Sequence, residues 1–553
     1  MERTITILCK NNGESIDIPL GSTLTEAYEA LGLDMPHGAA CAEVNNTVEN
    51  MNYVLFSNSD IKFLDITTPS GMRTYTRSLF FVLSKAVADS FPNVQVRIDT
   101  PVSNGYYCRL LQEGDITDDE VKALEKRMRE IIEADIPFRR IKAHTDDVVK
   151  RFRAQGHESK AKLIENGGSL YSYYYMLEDT MDYFYGALLP STGCIWLFGI
   201  EKYHDGVLLR LPDPTAPDKL CPLIKQEKMF GVFQENHEIQ RIIGLNTIGD
   251  MNMLISQGHV NEMINVSEAL QEKKIAHIAD EIASRKDVRV VLISGPSSSG
   301  KTTFSKRLSV QLLASGLKPY PISMDNYFVD RDKTPRTPSG DYDFESLHAL
   351  NTELLASQLN TLIAGGEVEL PKYNFQTGKS EKSGVRLRTD GNTIIVMEGI
   401  HGLNPELTAQ VPEKNKFRIY VSALTSILLD DHNYIPTTDN RLLRRIVRDY
   451  KYRGYSARDT IARWPSVRAG EKKWIFPYQE NADVMFNSAL IFELAVLKPR
   501  VMPLLRDVDE RYEEHSEAYR LMKFLSYIKS IPSEGLPPTS LLREFVGGST
   551  FHY

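Results

Sequence analysis

The stretch Gly295–Thr302, GPSSSGKT, fits G-x-x-x-x-G-K-[ST], the pattern of a loop that wraps phosphate oxygens in backbone N–H groups. Its flanks agree with that reading. Upstream, Val288–Ser294 (VRVVLIS) is a run of β-branched and aliphatic residues, expected for a strand buried on both faces. Downstream, Phe304, Leu308, Leu312 and Leu313 recur at helical spacing and Gly316 supplies a left-handed stop. Strand, loop and helix in that order aim the unpaired N–H groups and positive dipole end of the new helix at one point, where an anion is stabilised. The residues expected to hold the phosphates of ATP are Gly295, Pro296, Ser297, Ser298, Ser299, Gly300, Lys301, Thr302 and Thr303, with Lys301 reaching the β- and γ-phosphates and Thr302 the Mg²⁺.

The remainder of the chain sets bounds. A length of 553 residues predicts several domains with ample apolar cores. The net charge of −8 argues against bulk binding to nucleic acid or an anionic membrane. Five scattered cysteines without a C-x-x-C pair point to a reducing compartment. No apolar run of about 18 residues is present, and the N-terminus lacks a signal-peptide apolar region, so a cytoplasmic protein is expected.

Two further strands follow the loop, YPISM and NTIIVM, and each runs into an acid, Asp325 in SMDNYF and Glu398 in MEGIHGL. Alternating strands and helices predict a parallel sheet flanked by helices, with its sites at the strand C-termini. Two carboxylates there can bind Mg²⁺ and accept a hydroxyl proton, although one such acid by itself is as often a helix cap. Further on, Arg441, Arg444, Arg445 and Arg448 crowd one face of a predicted helix. Their repulsion costs about 1–2 kcal/mol over four pairs, which calls for anionic partners. Asp449 is expected to offset one pair, and a transferring phosphoryl group with the ATP tail the rest.

Together the loop, SMDNYF, DYDFESL, PKYNF and MEGIHGL resemble the uridine kinase and phosphoribulokinase family of P-loop kinases over about 200 residues. The resemblance implies transfer of the ATP γ-phosphoryl group to the 5′-hydroxyl of a nucleoside, uridine or cytidine. Asp325 is then the general base, and Thr302, Asp325 and Glu398 hold Mg²⁺. Asp343, Tyr373, Tyr327 and Arg453 contact the acceptor, while Lys301, Arg445 and Arg448 stabilise charge in transit. Where the family has a pyrimidine-reading histidine, this chain has Gly378 and Lys379, and a lid arginine is replaced by Tyr455, with Arg458 as substitute. Another small hydroxyl acceptor of the same family therefore stays open.

Residues 1–68 alternate as short strands around a capped helix and resemble a TGS domain, a β-grasp module. Residues 69–213 resemble the second additional, editing domain of threonyl-tRNA synthetases through TRSLFFVLSKAV, NGYYC, LEKRMREIIEADIPFRR and DYFYGALLPSTG. The family's metal-ligating histidines and cysteine fall on Arg77, Phe81, Phe184 and Leu188, which cannot serve a Zn²⁺-type site, so the shell is expected without the editing chemistry. A front end of this origin leaves a nucleotide-switched RNA- or ribosome-binding factor as the other class of function, disfavoured by the acidic net charge. The tyrosines at 171, 173, 174, 175, 183 and 185 are read as core or interface, or as a stacking surface for bases.

Residues 214–285 are expected to be a Pro-rich linker and a connecting helix on which His277 is a surface or core residue. Residues 286–510 form the kinase block. Residues 511–553 form a helix and an apolar tail, with Leu541, Leu542, Phe545 and Val546, that docks on the kinase block or on a second copy of the chain. The expected fold class is thus multidomain, α/β in the kinase block and α+β in the front end.

Overall fold

The computed structural model describes residues 3–337 and 340–552. At the front, Thr4–Cys9 points Ile5, Ile7 and Cys9 inward and every other residue to solvent, as period-2 patterning demands. This strand pairs antiparallel with Ser15–Pro19 and parallel with Ser59–Leu64, and Cys41–Val44 and Thr47–Glu49 complete a five-stranded sheet. Helix Leu24–Leu31 crosses it. Thr23 and Glu26 form a reciprocal capping box at the start of that helix, and Gly32 ends it in the left-handed conformation.

The second region is built on the 22-residue helix Pro69–Ser90. A four-stranded sheet packs with it, in the order Gly199–Tyr203, Gly206–Arg210, Gly105–Leu110, Val96–Val102. A three-stranded sheet of Arg139–His144, Tyr171–Leu177 and Thr180–Asp182 lies beside it. Phe81, Phe184 and Leu188 join one apolar core, with the Phe81 and Phe184 ring centroids 5.8 Å apart. Three of the four positions expected to lack editing ligands are thus core hydrocarbon, and the fourth, Arg77, donates to the Ala187 carbonyl. Of the tyrosines, 174, 175, 183 and 185 are buried, and only Tyr171 and Tyr173 are exposed.

The connector holds three helices where the sequence suggested one: Glu227–Ile243, Ile248–Ser256 and Val260–Ser284. His277 lies exposed on the last. The block beyond it carries a five-stranded, wholly parallel sheet in the order Lys318–Ser323, Thr393–Glu398, Val290–Ser294, Lys416–Ser422, Val484–Asn487. Val290–Ser294 is central and buried at every residue, as its apolar run requires. In helix Lys301–Ala314 the buried stripe is Phe304, Leu308 and Leu312; Leu313, assigned to that face from spacing, is 59% exposed because it lies one residue round from the stripe.

The β-grasp region keeps a core of its own, from Ile5 to Phe63, while the regions that follow share apolar packing. One continuous core takes in Phe152 of the front end, Ile275 of the connector, Val291 of the parallel sheet and Leu541 of the tail. Fully buried Lys160 is bonded to Asp182 at 2.6 Å and to Asp430 of the kinase block at 3.0 Å, and His432 Nδ1 lies 2.6 Å from Asp182. Burial works to raise the Asp182 carboxyl, but His432 and Lys160 outweigh it and hold the group well below the usual carboxylate range. Among the described residues, no helix is long and apolar enough to cross a membrane.

Candidate active site

The loop leaves its strand at Gly295, where a Cβ would stand 1.9 Å from the Val421 carbonyl oxygen, so only glycine lets the chain turn there. Ser298 (φ 58°) and Gly300 (φ 83°) take left-handed conformations that curl the backbone before Lys301 opens the helix. Lys301 Nζ donates to the carbonyls of Gly295 (2.8 Å) and Pro296 (3.1 Å), folding the side chain back over the loop. Thr302 Oγ1 donates to Glu398 Oε1 at 3.1 Å, while buried Glu398 Oε2 has no hydrogen-bond partner.

Parallel pairing is what brings the acids to this loop. Ile293 is in register with Glu398, and Glu398 with Ser323, so the ends of three strands line up and Asp325 follows in a single turn, Met324–Tyr327. Asp325 is exposed at the mouth of the cleft, yet desolvation by the surrounding protein raises its carboxyl above the ordinary range, with Lys301 opposing the shift. Burial likewise raises Glu398, against the pull of Lys301, and lowers the Lys301 ammonium. Such shifts gathered in one cleft single it out as a candidate site.

The Thr302 hydroxyl, the half-unpartnered Glu398 and the nearby Asp325 are hard oxygen donors of the kind Mg²⁺ takes, and Glu398 Oε2 is an orphaned buried acceptor that a cation would satisfy. Among the described residues no group of three or more His, Cys, Asp or Glu side chains is placed to hold a metal ion. A Mg²⁺ ion here would thus share its sphere with water and phosphate oxygens, and it would neutralise charge on them.

The arginine row divides in two, and this corrects the expectation that phosphates balance most of it. Arg441 and Arg444 are fully buried in paired geometry with protein carboxylates. Arg441 grips both oxygens of Glu471, and Arg444 donates to Glu493 at 2.6 and 2.7 Å. Both also hold the loop, through the carbonyls of Ser297 and Ser298. Asp449, expected to offset one pair, draws in three arginines: Arg445 (3.2 Å), Arg448 (2.9 Å) and Arg453 (3.4 Å). Arg445 Nη1 also reaches Ser297 Oγ at 2.7 Å, which places Arg445 beside the loop while Asp449 holds it and Arg448.

Of the acceptor contacts, Tyr373 is buried against Phe328 and Phe375 with its hydroxyl unpartnered. Asp343 is half-buried, two residues before Glu345. Tyr327 departs from its expected role. It is 1% exposed and its hydroxyl donates to Gln358 at 2.8 Å, so it is a core residue that supports the Asp325 turn. Arg453 is exposed at the far end of its helix.

Three carboxylates at the loop were missed in the sequence. Glu471 accepts from the Ser297 amide at 3.0 Å. Glu345 has its carboxyl raised, chiefly by burial and then by Glu471, with Arg445 and Lys301 opposing. Glu544, from the C-terminal tail, accepts from Thr303 Oγ1 at 2.7 Å and from the Thr303 amide at 3.3 Å. The only sequence signal for Glu544 was the apolar tail around it, and that tail docks on the kinase block. Leu541, Leu542, Phe545 and Val546 are all buried, and Leu541 lies over Gly300.

Residues 290–491 match the family model described as Phosphoribulokinase / Uridine kinase family. The N-terminal region is similar to threonine–tRNA ligases. One, from Pelagibacter ubique (strain HTCC1062), is 25% identical over 237 residues, 42% of this chain and 33% of that protein. Another, from Phenylobacterium zucineum (strain HLK1), is 28% identical over 154 residues, 28% of this chain and 23% of that protein. The chain spans about a third or less of the length of these curated relatives. Among solved structures, a "possible uridine kinase" from Bacillus stearothermophilus aligns with TM-score 0.24 and 22% identity, over 36% of this chain and 88% of that one. D-glycerate 3-kinase from Cryptococcus neoformans aligns with TM-score 0.27 and 13% identity, over 38% and 89%. The loop, the strand-end acids and the arginine helix all lie inside the span, residues 290–491, that matches the Phosphoribulokinase / Uridine kinase family model, behind a front end that is similar to threonine–tRNA ligases.

Proposed function

We propose that the chain is an ATP-dependent kinase that transfers the γ-phosphoryl group to the 5′-hydroxyl of a nucleoside, uridine or cytidine. The observation that carries this reading is the convergence of Lys301, Thr302, Asp325 and Glu398 at the C-terminal ends of three parallel strands. ATP phosphates take the loop amides and Lys301, Mg²⁺ is held with Thr302 and Glu398, and Asp325 draws the acceptor proton. Arg445 and Arg448 move from Asp449 toward the phosphoryl group as charge spreads over its oxygens. Asp343 and the unpartnered Tyr373 hydroxyl serve the acceptor. The test is ADP formation by purified chain across a panel of nucleosides, sugars and phosphorylated sugars. Stimulation by uridine or cytidine is the expected result, stimulation only by a non-nucleoside acceptor moves the reading to another substrate of the family, and no stimulation by any acceptor removes it.

One observation favours a second reading, a nucleotide-switched binding factor. The loop amides of Ser297 and Thr303 are already bonded to Glu471 and Glu544, an arrangement suited to a state that waits for nucleotide. ADP formation stimulated by RNA and by no small acceptor would select it.

A further inference from the structure

A cavity of about 320 Å³ lies away from the phosphate loop, where the β-grasp sheet, the second region and the C-terminal helix His515–Ser526 meet. Its wall is strongly unbalanced in charge. Five cationic side chains line it, Arg73, Arg77, Arg140, Arg520 and Lys523, against one carboxylate, Glu49. Arg73 and Arg520 are compensated from behind: both pair with Glu517, and Arg520 also grips Asp439 at 2.7 and 2.8 Å. Arg77, Arg140 and Lys523 are left with Glu49 only, a surplus of two positive charges.

None of these three forms an ion pair among the described residues. Arg77 donates to the Ala187 carbonyl at 3.2 Å and lies over the Tyr185 ring, and Arg140 lies over Tyr173 at 4.1 Å. Burial, with Arg140 adding repulsion, pushes the Lys523 ammonium down to about 8. Uncompensated like charges gathered in a partly desolvated cavity are unfavourable unless an anion joins them. The wall also carries several aromatic rings, of which Tyr171, Tyr173 and Tyr519 present accessible surface.

We propose that this cavity binds a small organic phosphate, a phosphomonoester dianion carried on a planar ring, with the phosphate on Arg77, Arg140 and Lys523 and the ring against the tyrosines. A dianion matches the surplus of two charges, guanidinium groups suit phosphate oxygens, and tyrosine faces take a planar ring. Its occupant would tie the β-grasp sheet and second region to the C-terminal helix. That helix holds the first turn of the arginine helix Thr437–Arg453 through Arg520 and Asp439, so the cavity has a direct mechanical route to the kinase block. The proposal does not depend on the identity of the kinase's acceptor.

The test is calorimetric titration of the full chain with phenyl phosphate, AMP, UMP and inorganic phosphate. Phenyl phosphate or a nucleoside monophosphate should bind saturably and more tightly than inorganic phosphate. The double variant Arg140→Gln/Lys523→Met should weaken binding by at least 10-fold with unchanged circular dichroism, and Lys523→Arg should retain most of it. Lys301→Ala, which disables the phosphate loop, should leave this binding intact. Loss of binding in Lys301→Ala with retention in the double variant would place the ligand at the kinase site and overturn the proposal. So would the absence of binding by every probe at millimolar concentration, or binding of RNA that the small phosphates do not displace.

Discussion

Glu544 Oε2 stands 2.7 Å from Thr303 Oγ1 and 3.3 Å from the Thr303 amide, so a carboxylate of the C-terminal tail occupies the opening turn of the loop helix. That amide lies in the first helical turn, where backbone N–H groups point outward and can be offered to phosphate. A triphosphate seated in the loop competes with this side chain for the same donors, and its charge is repelled by it.

Glu544→Gln is therefore expected to tighten binding of a non-hydrolysable ATP analogue. A charge-assisted bond contributes about 1.5–3 kcal/mol, which corresponds to roughly 10- to 100-fold in affinity. Calorimetry of the wild type and the variant reads it directly; equal affinities would show that the tail carboxylate moves aside at no cost.

Asp325→Asn removes the proposed base and nearly preserves shape. A fall in kcat of about 10²- to 10⁴-fold with little change in KM for ATP is expected. Because desolvation in the cleft raises the wild-type carboxyl, the acid limb of its pH–rate profile should lie above the ordinary aspartate range, with activity lost as the pH falls through it. Near-normal turnover of the variant would withdraw the assignment.

Lys160→Met leaves buried Asp430 without a cationic partner and Asp182 with His432 alone. Breaking a buried ion pair from one side costs about 3–5 kcal/mol, so urea unfolding should shift by that order and report loss of the weld between front end and kinase block. A shift below about 1 kcal/mol would mean that the triad carries little of the interface.

His157 provides a pH test. Burial, with His432 and Lys160 nearby, lowers its imidazole from 6.5 to about 4. Its folded pKa is depressed, so the unfolded chain binds more protons between those values. The stability this group contributes is present above pH 6.5 and is lost as the pH falls toward 4, by up to about 3 kcal/mol before any discount for solvent screening. In His157→Gln the dependence of the urea midpoint on pH across that window should flatten; an unchanged slope would assign it to other groups.

The loop was legible from eight residues because its chemistry is local: glycines where the backbone turns under Val421, a lysine and a threonine at the first turn of a helix, and an apolar run before them. The acids Asp325 and Glu398 were legible as well, since a residue that ends an apolar run in a parallel sheet must come out on the same edge as the loop. The arginine row was visible, yet its split was not. Helical spacing shows which residues share a face but not what covers that face, and Glu471 and Glu493 arrive from 30 and 49 residues further along the chain.

What the amino-acid order determined by itself is the machinery made of neighbours in the chain: the phosphate loop, the strand-end acids, the capped helices and an apolar tail that had to dock. What only the tertiary structure decided is everything made by distant segments meeting. That covers Glu544 on Thr303, the buried triad of Lys160, Asp182 and Asp430, and the cationic cavity whose charges come from the second region and the C-terminal helix. The reason is physical. Local geometry follows from backbone sterics and residue spacing, whereas the burial, charge balance and partners of a side chain depend on which surfaces pack against it, and those are set once the whole core has formed.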